Sequence, residues 1–356
     1  GFDLAAIEQL FSGERFAPEA ITPGERERLQ TASLDDAPAP IAGDFPEWLE
    51  DELMRAFAGD LIEEVRALAT RAPIDIRVNT LKTERAIVVL ELRHLGAALT
   101  AGSPTGLRFP AGEDGRGPTL QSTPEFVKGL FEIQDEGSQL VALLAVAGAG
   151  LSAKPQIVDL CAGGGGKTLA LAALVANAGQ IYATDADARR LAPIHDRLTR
   201  ADVRNVQVRT PKLKTDEPLS DLAGKIDLVL IDAPCTGVGT WRRNPDAKWR
   251  IRPGALAERV KDQDLVLDRA AKLARPGGVV AYITCSVLPT ENDDRVTAFL
   301  ARHPDFSVVP PQEILALAPD ALSERQDLVT SGRLGLQLSP ARTETDGFYL
   351  ALMRRA

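Results

Sequence analysis

From Phe45 to about Leu68 apolar residues recur at helical spacing (Leu49, Leu53, Phe57, Leu61, Val65), which predicts an amphipathic helix. Ile74-Asp75-Ile76-Arg77-Val78-Asn79 then alternates as a strand does, and Thr83 to Leu95 reads as a second helix. Gly and Pro gather between Gly102 and Pro118, as loops require. Together these elements predict a mixed α+β module over residues 46–132. From Gln156 onward the pattern becomes strand, turn and helix, repeated. Strands are expected at 156–160, 180–184, 205–209, 226–231, 279–284, 306–309 and 347–353. That alternation predicts a doubly wound α/β fold, a seven-stranded and mostly parallel sheet. Gly347-Phe348-Tyr349-Leu350-Ala351-Leu352 is expected as an antiparallel last strand at its edge. The α/β unit is assigned to 133–356. Residues 1–45 mix acidic helical fragments with Ala37-Pro38-Ala39-Pro40 and predict a tether or small helical extension.

The chain of 356 residues, 44% hydrophobic and 26% charged, has the composition of a globular protein with a sizeable core. Its apolar runs are broken by Gly, Pro or charge well short of the roughly 20 residues a membrane-spanning helix needs, so neither a spanning segment nor a signal peptide is expected. Three cysteines (Cys161, Cys235, Cys285) make no disulfide framework and no zinc spacing, so no metal is expected and a reducing cytoplasm is the expected setting. The first residue is Gly1, not Met, which leaves open whether residues precede it.

A net charge of −9 argues at first against a nucleic-acid partner. The average conceals an asymmetry. Residues 1–70 carry 16 acidic against 5 basic residues, a balance of −11, which leaves the remainder at +2. Within it, Trp241-Arg242-Arg243-Asn244-Pro245-Asp246-Ala247-Lys248-Trp249-Arg250-Ile251-Arg252 sets five cations and two indoles against one acid. Cations interleaved with aromatics suit phosphates and bases, although a solvated basic loop has the same composition.

Ile157-Val158-Asp159-Leu160-Cys161-Ala162-Gly163-Gly164-Gly165-Gly166-Lys167-Thr168 reads as a strand, a glycine turn and a helix start. Such a turn lets the backbone approach a ligand and offers it free N–H groups. A phosphate loop would need Gly at position 161, which is Cys, and a dinucleotide fingerprint starting at Gly163 would need Gly at 168, which is Thr. Asp185, at the end of the second strand, is placed to accept both hydroxyls of a ribose. A ribose without a pyrophosphate motif points to S-adenosylmethionine. The alternative is a structural turn beside a surface Asp.

Two further motifs follow expected strands: Asp232-Ala233-Pro234-Cys235-Thr236-Gly237 and Thr284-Cys285-Ser286. A parallel sheet places groups at its strand ends in one crevice, so both thiols can face one ligand, an arrangement for covalent chemistry. As buried small hydrophobes they would need no such placement. Cys161, inside the glycine turn, is expected to contribute packing or backbone contact to the cofactor.

With these motifs, the chain resembles the RsmB/Nop family of RNA cytosine-5 methyltransferases over about residues 70–355. The resemblance is carried by Arg77-Val78-Asn79-Thr80-Leu81-Lys82, Gln134-Asp135-Glu136-Gly137-Ser138-Gln139, the glycine turn with Lys167-Thr168, both cysteine motifs, Arg242-Arg243-Asn244-Pro245-Asp246 with Lys248-Trp249, and Glu291-Asn292. It implies a class I, Rossmann-like methyltransferase domain behind an RNA-binding module. It further implies that Cys285 attacks carbon 6 of cytosine, that Cys235 assists proton removal at carbon 5 and product release, and that Asp232 contacts the base or the cofactor. Cys161, Ala162, Gly163, Gly164, Gly165, Gly166, Lys167, Asp185 and Asp232 are the expected S-adenosylmethionine contacts. Arg77, Asn79, Lys82, Arg242, Arg243 and Lys248 are the expected RNA contacts. The implied substrate is 16S ribosomal RNA, with transfer RNA as the alternative and a monomer as the expected state. An RNA-binding assembly protein with a vestigial fold would have lost a catalytic Cys or Asp185, and a small-molecule methyltransferase would lack the 46–132 module and the Arg-Arg loop.

The sequence departs from the family pattern twice. Gly164 stands where the family commonly has Pro, which loosens the turn. Val206-Gln207-Val208-Arg209-Thr210 offers no acid after the third strand to hold an adenine. Lys167 is placed to neutralise Asp232 or Asp159 or to orient a methionine carboxylate, unless it is a snorkelling surface lysine. Trp241 and Trp249 suit base stacking or local packing. His94, His195 and His303 have no catalytic context and are expected to face solvent.

Overall fold

The computed structural model describes residues 4–34, 37–110, 117–211, 217–318, 325, 328 and 333–356. Parts of the expected N-terminal extension (1–3, 35–36) and of the Gly/Pro loop (111–116) lie outside these. Twelve strands and ten helices of seven residues or more are labelled among the described residues.

The chain opens with α1 (Leu4–Leu10) and α2 (Pro23–Thr31), neither of which buries a residue. The helix expected over 45–68 is two, α3 (Glu50–Phe57) and α4 (Leu61–Ala69). Ala58 takes a left-handed φ of 49° ahead of Gly59, and a 3-10 turn over Ala58–Asp60 bridges the break. The apolar stripe continues across it. Leu49, Leu53, Phe57, Leu61, Val65 and Leu68 form one buried cluster with Val238, Trp241, Val287 and Leu288. These helices therefore pack on the loops that follow two strands of the larger sheet.

A small antiparallel sheet follows, built of β1 (Ile74–Val78), β2 (Ala98–Leu99), β3 (Gly106–Phe109) and β4 (Phe131–Ile133) in the order β2-β3-β1-β4. Ile76, Val78, Leu107, Phe109 and Phe131 face Val88 and Leu92 from the expected second helix. That helix is α5 (Arg85–Glu91), and the next turn, Arg93–Leu95, is 3-10.

The main sheet has eight strands, one more than expected. Its order is β10-β12-β9-β8-β5-β6-β7, with β11 also on β12. In chain order these are β5 (Gln156–Asp159), β6 (Gln180–Ala183), β7 (Val206–Val208), β8 (Ile226–Asp232), β9 (Ala274–Thr284), β10 (Phe306–Val308), β11 (Leu336–Leu338) and β12 (Phe348–Arg355). The strands from β7 to β9 are parallel. The last strand is antiparallel as expected but not an edge: β12 lies between β9 on one side and β10 and β11 on the other. Alternation along β8 sends Leu228 and Leu230 to the face covered by α6 (Glu136–Ala149) and α7 (Gly166–Leu174). Val229 and Ile231 meet α9 (Pro253–Leu273) and α10 (Asp293–Arg302) on the other. Helix α8 (Ile194–Arg200) covers β6 and the start of α7.

From β5 the chain winds outward through β6 to β7, then returns to place β8 on the other side of β5. This reversal opens a crevice at the carboxyl ends of β5 and β8, where ligands of doubly wound sheets bind. Among the described residues no helix is long and apolar enough to cross a membrane, and no group of three or more His, Cys, Asp or Glu is placed to hold a metal ion.

Candidate active site

Three strand ends build the site. Asp159 closes β5, Asp232 closes β8, and Cys285 directly follows β9. The turn after β5 needs glycine at 165. Its φ is +86°, and a Cβ there would lie 2.5 Å from Cγ1 of Ile194. Gly165 thus starts α7 against α8. Asp185, 3% exposed, accepts the N–H of Gly163 on one oxygen and that of Asp187 on the other, both at 2.9 Å. A carboxylate has about four acceptor directions, so both oxygens keep capacity for a diol. Asp185, Cys161, Ala186, Asp187, Pro234 and Val266 line a cleft of about 680 Å³, within the usual size of a small-molecule site.

Beneath the turn Thr168 donates to Asp159 at 2.6 Å, while the other Asp159 oxygen has no protein partner. Burial pushes the Asp159 carboxyl up to about 7. Lys167 is 6% exposed, so it is no surface lysine, and its ammonium pairs with Asp232 at 2.8 Å. The same ammonium sits 5.2 Å above the Phe348 ring. Burial raises the Cys161 thiol, consistent with a packing role.

The two motif thiols meet: Sγ of Cys235 and Sγ of Cys285 are 3.3 Å apart, and both residues are partly accessible. The Cys235 thiol is raised well above its ordinary value, first by its hydrogen bond with Cys285, then by burial and by the charges of Cys285 and Glu291. Both loops are pinned by residues whose roles the sequence did not announce. Glu291, fully buried, accepts the Thr236 N–H at 2.8 Å, the Thr236 hydroxyl at 2.5 Å and the Gln263 amide at 3.0 Å. Gln263 also donates to the Pro234 carbonyl at 3.0 Å. Asn292 accepts from the Thr284 hydroxyl at 2.6 Å and donates to the Ser286 carbonyl at 3.0 Å, closing the turn that carries Cys285. Glu291-Asn292 stood out in the sequence only as part of a motif.

The six expected RNA contacts separate. Arg77 is 8% exposed; its Nη2 reaches the Gly166 carbonyl at 3.5 Å, and burial lowers its pKa to about 10. Asn79 is 7% exposed and donates to the carbonyls of Gly129 and Ala201, both at 2.9 Å. Arg242 is buried between Asp346 (2.6 Å) and Asp135 (3.5 Å). Lys248 is buried against Asp44. These four are spent inside the protein: a buried cation is tolerated only beside acids or carbonyls, and a buried amide only with its hydrogen bonds satisfied. Lys82 is exposed but donates to the carbonyls of Lys128 and Arg200. Arg243 is partly exposed and pairs with Asp135 and Asp346. Of the indoles, Trp241 is core and Trp249 is 57% exposed, next to exposed Arg250 and Arg252. His94 and His195 are exposed as expected. His303 is not: it is half-buried, 2.9 Å from Asp268 and packed on Phe299 and Phe306.

Comparison with known proteins follows the same lines. The family model for 16S rRNA methyltransferase RsmB/F matches residues 150–354, and that for the RsmF/B-like ferredoxin-like domain matches residues 45–112. The chain is 32% identical over 317 residues to the probable ribosomal RNA small subunit methyltransferase B of Synechocystis, covering 88% of this chain and 67% of that protein. It is 33% identical over 334 residues to the ribosomal RNA small subunit methyltransferase B of Sodalis glossinidius, covering 92% and 70%. Among solved structures, a methyltransferase homologue from Pyrococcus horikoshii superposes with a TM-score of 0.68 at 24% identity over 94% of this chain and all of that one, a likeness of fold.

Proposed function

Because the chain belongs to the 16S rRNA methyltransferase RsmB/F family, we propose that it methylates carbon 5 of a cytosine in small-subunit ribosomal RNA through a covalent bond from Cys285. One observation carries the chemistry: two thiols 3.3 Å apart at the ends of neighbouring parallel strands, beside the Lys167–Asp232 pair. A single thiol suffices for addition to a ring. A second, in contact with the first, answers the need for a base after transfer.

The cofactor cleft fits S-adenosylmethionine. The glycine turn brings backbone within reach of a ligand, Asp185 keeps acceptor capacity for a ribose, and Asp159 holds an orphaned carboxylate oxygen. When bound there, S-adenosylmethionine supplies an electrophilic methyl group. Cys161 and the 162–166 backbone would flank it, with Lys167 holding Asp232 at its inner end. Neither Arg209 nor Thr210, directly after β7, is an acid; the cleft wall carries Asp187, Glu217 and Asp262 besides Asp185.

The residues' own steps follow. The Cys285 thiolate adds to carbon 6 of cytosine; the C5–C6 π pair moves into the ring and makes carbon 5 nucleophilic. Once carbon 5 carries the methyl group, Cys235 as thiolate removes its proton. That electron pair rebuilds the C5–C6 double bond, and the C6–S bond breaks to return Cys285 as thiolate. A stacked target base must first be turned out of its helix. Trp249, Arg250 and Arg252 are exposed groups of the basic run and the first RNA contacts to test.

Incubating wild type, Cys235→Ala and Cys285→Ala with small-subunit ribosomal RNA and radiolabelled S-adenosylmethionine, then resolving the mixtures on denaturing gels, tests the assignment. Cys235→Ala is expected to leave a protein–RNA band, and Cys285→Ala neither band nor product. Normal methylation by both variants would sink the mechanism.

A further inference from the structure

Four successive glycines leave the turn after β5 without side chains to restrict its backbone, and two of them sit at positive φ (Gly163 +49°, Gly165 +86°). A side chain from outside the turn holds it. Arg197, on α8, donates from Nη1 to the Gly164 carbonyl at 2.7 Å. A Cβ at Gly164 would lie 3.2 Å from that same nitrogen, and one at Gly166 would lie 4.0 Å from Nη2. The guanidinium therefore fills the space a side chain at 164 would take and lies along the turn.

Its far side is fixed in turn. Nε and Nη2 of Arg197 both donate to one oxygen of Glu132, at 3.2 and 2.9 Å. Glu132 is 4% exposed on β4 of the small sheet, and its second oxygen takes Arg200. The last turn of α8 is seated by the same module, through Asn79 on the Ala201 carbonyl and Lys82 on that of Arg200. A hydrogen-bonded chain thus runs from the small sheet through Arg197 to the carbonyl of Gly164.

We propose that Arg197, held by Glu132, is a positioning residue of the cofactor site. It orders the turn before the cofactor arrives, so that binding does not bear the entropy of freezing four glycines. A carboxylate-anchored guanidinium has the rigid planar donors this needs, whereas a lysine at 197 reaches the carbonyl or the carboxylate but not both. The proposal rests on the reading of the turn as the cofactor's cradle. It separates that function from the alternative, in which Arg197 only ties the modules together.

Calorimetric titration of the full chain with S-adenosylhomocysteine, which binds without reacting, provides the test. Arg197→Ala is expected to weaken binding about tenfold, the value of one hydrogen bond to a charged donor, and to raise KM for S-adenosylmethionine more than it lowers kcat. Arg197→Lys, which keeps charge and helix, should show most of the same loss and serves if the alanine variant does not fold. The decisive variant is Gly164→Ala. In the wild-type background its methyl crowds Arg197 and weakens binding. In the Arg197→Ala background it meets no guanidinium, restricts the turn and recovers binding about two- to fivefold. The proposal is overturned if Arg197→Ala binds as wild type with only a lower Tm, or if Gly164→Ala acts with the same sign in both backgrounds. Asp185→Ala keeps the underlying reading separate: undiminished binding there would mean the cradle itself had been misassigned.

Discussion

Glu291 offers the sharpest test of how the thiols are placed. Its carboxylate is fully buried and takes three donors: the Thr236 N–H and the Gln263 amide on Oε1, and the Thr236 hydroxyl on Oε2. Glu291→Ala takes the acceptor from the Thr236 N–H and hydroxyl, leaves the Gln263 amide only its bond to the Pro234 carbonyl, and frees the loop that carries Cys235. Loss of these charge-assisted bonds, partly offset by relaxation, amounts to about 3–5 kcal/mol. For a protein of this size that corresponds to a fall in Tm of about 4–7 °C. A loop displaced by about 1 Å also costs on the order of 100-fold in turnover. Glu291→Gln differs. Its carbonyl can occupy the Oε1 position and keep both N–H donors, and its amide can donate to the Thr236 hydroxyl oxygen, which reverses role. Only the charge is lost, about 1 kcal/mol, since charge-assisted bonds are roughly twice as strong as neutral ones. Differential scanning calorimetry and single-turnover methyl transfer should therefore separate the two variants clearly. Equal losses in both, or wild-type turnover in Glu291→Ala, would refute the claim that this carboxylate sets the geometry of the Cys235 loop.

Three further outcomes are expected. Asp159 titrates near 7 when folded, against about 4 unfolded, so stability it contributes while protonated is lost as pH rises from about 4 through 7; Asp159→Asn, which can keep the Thr168 bond, should flatten the apo-protein's Tm profile across that window, and an unchanged slope would contradict the burial argument. Arg242→Ala should destabilise by about 1–3 kcal/mol, read as a lower Tm, because it removes one of the two guanidinium partners of buried Asp346 and Asp135 and leaves Arg243. Arg250→Ala and Arg252→Ala should leave Tm unchanged and each lower the salt dependence of RNA binding by about one phosphate contact, so a filter-binding titration at several salt concentrations that showed no change would remove this loop from the interface.

How far the sequence reached depended on distance along the chain. The glycine turn, Asp185 and the two cysteine motifs were legible because each is a local pattern, a strand running into turn residues, and a parallel sheet gathers strand ends. Leu336–Leu338 went unread as a strand because three residues carry no usable alternation, and β12 was placed at the edge because strand order is not a local signal: β10, itself expected, also pairs outside it. The basic run misled for another reason. Arg242 and Arg243 meet Asp346 across about a hundred residues, and Lys248 meets Asp44 across about two hundred. A cation reads the same whether its partner is a phosphate or a distant buried aspartate. Arg197 and Glu132 were invisible likewise, since nothing local marks an arginine that reaches back to a turn 33 residues earlier.

The contact between the thiols also explains how one pair can serve two opposite proton states. In the free enzyme Cys235 keeps its proton, and the largest cause is its hydrogen bond to Cys285, ahead of burial and of the charges on Cys285 and Glu291. A protonated Cys235 can direct its S–H toward the Cys285 sulfur, 3.3 Å away. Once Cys285 is bonded to carbon 6 it is a thioether, with neither charge nor proton to share. The largest cause holding Cys235 up then disappears, so its pKa falls at the step where it must act as base. The order of the reaction thus sets the protonation of the second thiol. Cys285→Ala mimics that loss without RNA. Its Cys235 should titrate lower than in wild type, measured as the pH dependence of alkylation at that residue by mass spectrometry, with the partly accessible Cys161 as internal reference. An unchanged or higher titration would mean that burial alone holds the Cys235 proton, and the handover between the two thiols would have no physical basis.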